Sequence, residues 1–252
     1  MSTLTKTQLK ISFAYQGLHE WPKDVRIFLD EKINELANKL KINHEIEIHP
    51  GKKTFITQDW MKKKAYLIID VKKFENCSKE INEFVLAHEL AHIKHNDSFL
   101  KRLFININLI VKVALAVLFS NSFSLGFLAL SGIILIIYDI PFSLTIAFTP
   151  ITLVHSLISL VAYSIFSKFQ EERADKTALS VCSDKAKAQA WIFFKNEQKT
   201  FLDVRCKLNR SSIIYHKILS HILIDENGNV RFPFNFTHPK LQTRINYCRL
   251  QG

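Results

Sequence analysis

Two histidines four residues apart with a glutamate beside the first, His88-Glu89-Leu90-Ala91-His92, form the most reactive-looking cluster in this chain of 252 residues. On a helix, positions i and i+4 lie one turn apart on the same face, so both imidazoles can reach one metal ion at about 2.0–2.1 Å, the zinc–nitrogen distance. Glu89 lies about 100° around the helix from His88, where it can take a proton from an attacking water as general base without being a ligand. The spacing therefore predicts metal-assisted hydrolysis. A catalytic site of this kind needs a third protein ligand and an open fourth position. Glu171-Glu172-Arg173-Ala174-Asp175 offers two carboxylates four residues apart on one helix face, Glu171 and Asp175. One can bind the metal while the other accepts the second N–H of a ligating histidine and fixes its tautomer, with Glu172 pointing elsewhere. Such a cluster is equally an ordinary charged helix face.

These motifs need elements to carry them. Residues 22–41 place Val25, Phe28, Leu29, Ile33, Leu36, Ala37 and Leu40 at helical spacing behind Pro22. The β-rich runs 45–49, 54–58 and 66–71 predict a small sheet, with Tyr66–Val71 as an exposed strand able to pair with an extended substrate. From Ser78 onward Ile81, Phe84, Val85, His88 and His92 fall on a helical period, so the HExxH motif belongs to an amphipathic helix. Residues 168–182 and 185–202 read as helices. The runs 222–224 and 230–232 flank Asn227-Gly228, a hairpin-turn signal.

Between the two carboxylate- and histidine-bearing helices lies a segment of another character. Residues 103–167 contain only Lys112 and Asp139 as charges, plus His155. At about 1.5 Å per residue this is roughly 98 Å of helix against about 30 Å of hydrocarbon, so membrane insertion is expected. The net charge of +11 divides as +4 on residues 1–102 and +7 on 168–252. A basic excess spread over both flanks suits anionic lipid headgroups better than the focused stripe of a nucleic-acid binder, and no nucleic-acid partner is expected. Cys77, Cys182, Cys206 and Cys248 form no CxxC pair, which argues against a disulfide framework or a thiolate zinc site. The first residues carry no apolar run of the kind a secretory signal needs, so the polar parts are expected in the cytosol.

His88-Glu89-Leu90-Ala91-His92, a membrane segment, Glu171-x-x-Ala174-Asp175, and then Thr237-His238-Pro239 with Arg244-Ile245 resemble, in that order, the integral-membrane zinc metallopeptidases of the HtpX and CaaX prenyl protease 1 family. The motifs span residues 88 to 245. The resemblance implies an α+β, mainly α, zincin-like catalytic domain of the gluzincin type with an inserted transmembrane helical hairpin. It also implies one zinc ion per chain, with His88, His92 and Glu171 as ligands and Glu89 as catalytic base. Asp175 would be the acid behind a ligand, while His238 and Arg244 would lie near the substrate carbonyl and the active-site wall. Membrane-protein quality control and a polypeptide substrate are the implied biology. Family members usually carry membrane helices before HExxH, whereas residues 1–87 here contain none.

If His88, His92 and Glu171 bind one ion, the chain must enter and leave the membrane on the same side, so the number of crossings is even. Two are expected, around 103–120 and 143–166, with 125–139 extending one of them or re-entrant. The chain then divides into residues 1–102 and 168–252, two parts of one catalytic domain, and the hairpin 103–167 between them. Lys94, Lys101, Arg102, Lys168 and Arg173 flank the outer ends, which puts that domain in the cytoplasm by the positive-inside rule. His49, His95, His216 and His221 are weaker candidates for chemistry, and His155 reads as a packing residue. His88–Asp97 also resembles the motif of BlaR/MecR-type signalling peptidases, whose large extracytoplasmic ligand domain has no room here. A non-catalytic scaffold that keeps its metal for folding is the reading from another class.

Overall fold

A computed structural model of the chain describes residues 11–13, 21–59, 62–111, 150–211, 213–231 and 238–251. Thr237, Lys112, Asp139, the turn sites near 121 and 140 and the run 125–139 lie outside the described residues. The chain divides into two compact units, residues 1–99 with 167–252, and residues 100–166.

The first unit is built on a four-stranded sheet. Its strands are β1 (Ile11–Phe13), β2 (Glu45–Gly51), β3 (Phe55–Asp59) and β4 (Lys64–Asp70), in the order β1-β2-β4-β3. β1 and β2 pair in parallel, as do β2 and β4, whereas β3 runs antiparallel to β4. Period-2 burial puts Ile46 and Ile48 of β2 and Ala65, Leu67 and Ile69 of β4 on the inner face. The expected exposed strand at Tyr66–Val71 is overturned here. β4 has a neighbour on each side, Val71 already begins a helix, and among the described residues β1 and β3 are the edges.

Helix α1 (Lys23–Leu40) presents Val25, Leu29, Ile33, Leu36, Ala37 and Leu40 to that face. It stops at Lys41, whose left-handed backbone (φ 59°) lets its N–H close on the carbonyl of Ala37. The short α2 (Val71–Asn76) leads into α3 (Lys79–Lys94), which carries the HExxH motif and starts where the Ser78 hydroxyl accepts the N–H of Ile81. Leu86, Ala87, Leu90 and Ile93 of α3 join the same core. Each fully buried Leu or Ile contributes about 1.5–3 kcal/mol. Residues 97–111 are helical (α4), α5 spans Pro150–Val181 and α6 spans Asp184–Arg210. Buried Glu83, on α3, accepts the backbone N–H of Ser183 at 2.8 Å and receives Lys32 of α1 at 3.5 Å, tying three elements behind the site.

After α6 the sequence expectation of a strand at 222–224 gives way to helix α7 (Ile214–Leu223), followed by a single antiparallel bridge between Ile224 and Val230. The turn itself is as the Asn227-Gly228 pair implied. The Asp225 carboxylate accepts the N–H groups of Asn227 and Asn229, and Gly228 (φ 73°) sits so close to α6 that a Cβ would lie 2.7 Å from the Gln198 carbonyl. Asn229 in turn accepts the N–H of Gln242 in α8 (Leu241–Gln251), which fixes the helix bearing Arg244.

In the second unit, Ser159 donates to Asn108 at 2.6 Å, His155 bonds Ser159 at 3.3 Å and Phe104 stacks on Phe166. Much of its apolar surface is uncovered, Ile105, Leu109, Ile110, Leu157, Ile158 and Ile165 all being exposed. Among the described residues no helix is long and apolar enough to cross a membrane.

Leu67 is fully buried at the centre of the sheet. Leu67→Ala is expected to cost about 2–5 kcal/mol, lowering the melting temperature by roughly 5–15 °C, while Ile27→Ala on the exposed side of α1 leaves it nearly unchanged. Equal melting temperatures for the two variants would contradict this core.

Candidate metal centre

The local sequence first fixes the histidines. His88 and His92, one turn apart on α3, point the same way, and their Nε2 atoms lie 3.2 Å apart. Glu171, from α5, brings Oε2 to 3.3 Å from His88 Nε2 and Oε1 to 3.6 Å from His92 Nε2. α5 approaches this closely because Ala174 and Ala178 are small and fully buried. All three side chains, which could hold a metal ion, are buried.

Each histidine is held from behind. His88 donates Nδ1–H to Asp175 at 3.0 Å, and Asp175 receives Arg244 through Nε and Nη2, both at 2.7 Å. The guanidinium also lies over the Phe194 ring at 4.2 Å. His92 donates Nδ1–H to Asp97 at 2.7 Å, and Asp97 receives Gln170 Nε2 at 3.2 Å and the guanidinium of Arg173. With Nδ1 protonated in both rings, each Nε2 carries its lone pair inward.

Two lone pairs and a carboxylate thus face one another with no donor between them, an arrangement that repels itself unless a cation sits at the centre. Four-coordinate bonds of about 2.0–2.1 Å place neighbouring donors about 3.3–3.4 Å apart, close to the separations found here, so this donor set fits a tetrahedral ion of the zinc type. In the metal-free protein a proton takes the cation's place. Burial pushes the His88 pKa down, but hydrogen bonds to Asp175 and Glu171, and their charges, raise it to about 10. Glu171 is held far below the usual carboxylate range, His238 and His88 outweighing its burial. Asp175 is likewise lowered, the Arg244 charge and His88 outweighing burial.

Glu89 stands half-buried beside the ligands. Burial raises its carboxyl above the ordinary value, while His88, His92 and, least of all, the nearby Ile56 backbone of β3 pull it back. His238 stands at the rim, 57% exposed, with Nδ1 donating to Glu171 Oε2 at 3.1 Å. Every site residue named from the sequence therefore falls in one cluster. The other histidines lie elsewhere: His95 bonds Thr177, His49 pairs with Glu47, and His216 bonds Ser211. Glu172 turns away to Tyr247 and Lys176.

Asp97, Gln170 and Arg173 escaped the sequence reading. The signal was there in Asn96-Asp97: the left-handed backbone of Asn96 (φ 54°) reverses the chain after α3, so a carboxylate five residues beyond His92 returns to its ring.

Two outcomes are expected. Asp97→Ala should weaken metal binding roughly 10–100-fold with the fold intact, as titration against a competing chelator would read; unchanged affinity would contradict the relay. Because His88 holds its proton up to about pH 10, metal binding at neutral pH must expel that proton, and apparent affinity should rise about tenfold per pH unit until then. The proton-linked stability of the metal-free fold has the opposite sign, being complete below the ordinary histidine pKa of about 6.5 and lost as pH rises through about 10. Calorimetry in two buffers of different ionisation enthalpy reads the released proton, and buffer-independent heats would contradict it.

The comparisons agree with this centre. No curated protein and no solved structure gives a significant match. The model of peptidase family M48 matches residues 29–250, which takes in the HExxH helix, the Glu171 helix and the Arg244 helix alike. With that match over most of its length and two histidines and a glutamate arranged to hold a metal ion, the chain belongs to peptidase family M48 and is a metallopeptidase.

Proposed function

We propose that this metallopeptidase is a zinc-dependent endopeptidase of the HtpX type, anchored in a membrane by residues 103–167 with its catalytic unit in the cytoplasm, and that it cleaves polypeptides in membrane-protein quality control. The observation that carries the chemistry is the convergence of His88 Nε2, His92 Nε2 and Glu171 on one centre, each ring backed by a carboxylate.

A zinc ion held by His88, His92 and Glu171 would supply Lewis acidity at the peptide carbonyl and at the attacking water near neutral pH. The remaining work falls to the chain. Glu89, desolvated beside the two histidines, takes the proton of the attacking water and passes it to the leaving amine. Its raised pKa helps the first step, because a more basic carboxylate takes the water's proton more readily, and the carboxylic acid so formed is still acidic enough to pass that proton on. His238, at the exposed rim beside Glu171, stabilises negative charge developing on the carbonyl oxygen. Arg244 spends Nε and Nη2 on Asp175 and so acts at one remove, by keeping His88 in place. The substrate backbone pairs with β3, the edge strand that packs against the HExxH helix α3.

The membrane reading is supported by the near-absence of charge over residues 103–167 and by the exposed Ile and Leu side chains of α4 and α5 in the second unit. One ion bound by residues on either side of that segment requires an even number of crossings, and the flanking lysines and arginines favour the cytoplasmic side for the catalytic unit.

Glu89→Gln is expected to keep its zinc and lower peptide cleavage by at least 100-fold, whereas Glu171→Ala loses zinc and activity together; full turnover in Glu89→Gln would point to the scaffold reading instead. Alkaline carbonate should leave the protein in the membrane pellet, and its release into the supernatant would rule out the anchor.

A further inference from the structure

Away from the metal centre, three lysines far apart in sequence meet at one place. Lys41 ends α1, Lys63 lies in the turn before β4, and Lys94 is the last residue of α3. Together with His44, Asn96 and Phe99 they line a cleft of about 470 Å³. No carboxylate lines it, and none of the three lysines forms an ion pair among the described residues. Unpaired lysines are common on the surface of this unit; what sets these three apart is that they line one cleft, whereas Lys32 and Lys39 are matched by Glu35, Lys64 by Glu47, Lys176 by Glu172 and Lys187 by Asp184. Burial first, and then the Lys63 charge, push the His44 pKa down, so at neutral pH the cleft's charge is that of its lysines.

The backbone builds this concentration of charge deliberately close. Lys41 (φ 59°), Lys63 (φ 51°) and Asn96 (φ 54°) are the described non-glycine residues in the left-handed region, and all three line the cleft. Helix ends and a strand turn therefore converge there, and lysine occupies two positions where asparagine or glycine would be less strained. Offsetting the negative ends of α1 and α3 accounts for part of the charge at Lys41 and Lys94. It does not account for Lys63, which ends no helix.

We infer that the Lys41–Lys63–Lys94 cleft is a binding site for the phosphate headgroup of an anionic phospholipid. A phosphodiester carries one negative charge and no donor, which matches three ammonium groups with no competing carboxylate. Lipid is favoured over a free phosphate by position in the chain: Phe99, an exposed apolar side chain on the cleft wall, immediately precedes residue 100, where the second, apolar-surfaced unit begins. That choice of source rests on the membrane reading, and it makes the cleft a lipid contact of the catalytic unit itself, separate from the anchor.

The test uses the full chain purified in mild detergent and counts bound lipids by native mass spectrometry, with phosphatidylglycerol or phosphatidylcholine added. The wild type should retain phosphatidylglycerol at least tenfold better than phosphatidylcholine. The triple variant Lys41→Asn, Lys63→Asn, Lys94→Gln uses asparagine where the backbone is left-handed and should lose that preference while keeping zinc content and peptide cleavage. If the triple variant does not fold, Lys63→Asn alone should lose about fivefold. Retained preference in either variant would overturn the site, as would lowered melting temperature with unchanged lipid binding, the outcome if the lysines serve only the helix ends. Displacement of the lipid by inorganic phosphate at millimolar concentration would make the cleft a free-anion site and overturn the lipid assignment. Carbonate extraction is read separately: a protein released by carbonate that still prefers phosphatidylglycerol would lose its anchor and keep this cleft.

Discussion

Three lone-pair-bearing side chains facing one another at 3.2 to 3.6 Å are an electrostatic debt that only a cation can settle. In its absence the protein recruits a proton, and the cost of burying that charge is met by Glu171 and Asp175 around His88. The remainder of the unit is organised to keep those atoms from turning away from each other. Each ring is a two-state object, because an imidazole freed from its Nδ1 partner can flip or change tautomer and withdraw its lone pair.

The protein blocks that escape twice, with related constructions drawn from different parts of the chain. His88 leans on Asp175 and Asp175 on Arg244; His92 leans on Asp97 and Asp97 on Arg173 and Gln170. A buried carboxylate with a cationic partner is stable where a lone carboxylate would not be. The two relays also connect the site to the fold. One runs through α8, whose start is capped by the Asn229 turn pressed on α6; the other runs through the chain reversal at Asn96. Local turn chemistry far from the reacting atoms thereby sets the direction of both ligand lone pairs.

What could be seen in the sequence follows the range of the forces involved. His88, Glu89 and His92 are related by one turn of helix, and Glu171 and Asp175 by another, so periodicity alone placed each set on a common face. That the two faces meet is a long-range fact, and it came from the resemblance rather than from any spacing. α1 and α3 were legible because their apolar periods are strong and Ser78 marks a start. The sheet order was not legible: the same alternation that makes Tyr66–Asp70 a strand is silent about which neighbours it takes, and it proved central while Phe55–Asp59 took one of the two edges among the described residues. Residues 222–224 were misread as a strand because three apolar residues before a turn carry no period, and the helix that contains Ile222 is amphipathic only over its full length. Asp97 was missed because its relation to His92 passes through a left-handed residue, not a helical repeat.

The most direct test is X-ray absorption at the zinc edge on the purified protein, with metal content measured on the same sample. One ion per chain is expected, with two imidazole nitrogens at about 2.0–2.1 Å, carboxylate oxygen at about 2.0–2.2 Å and no sulfur. A thiolate at about 2.3 Å, or the same spectrum and stoichiometry in Glu171→Ala, would contradict a centre built by α3 and α5 together.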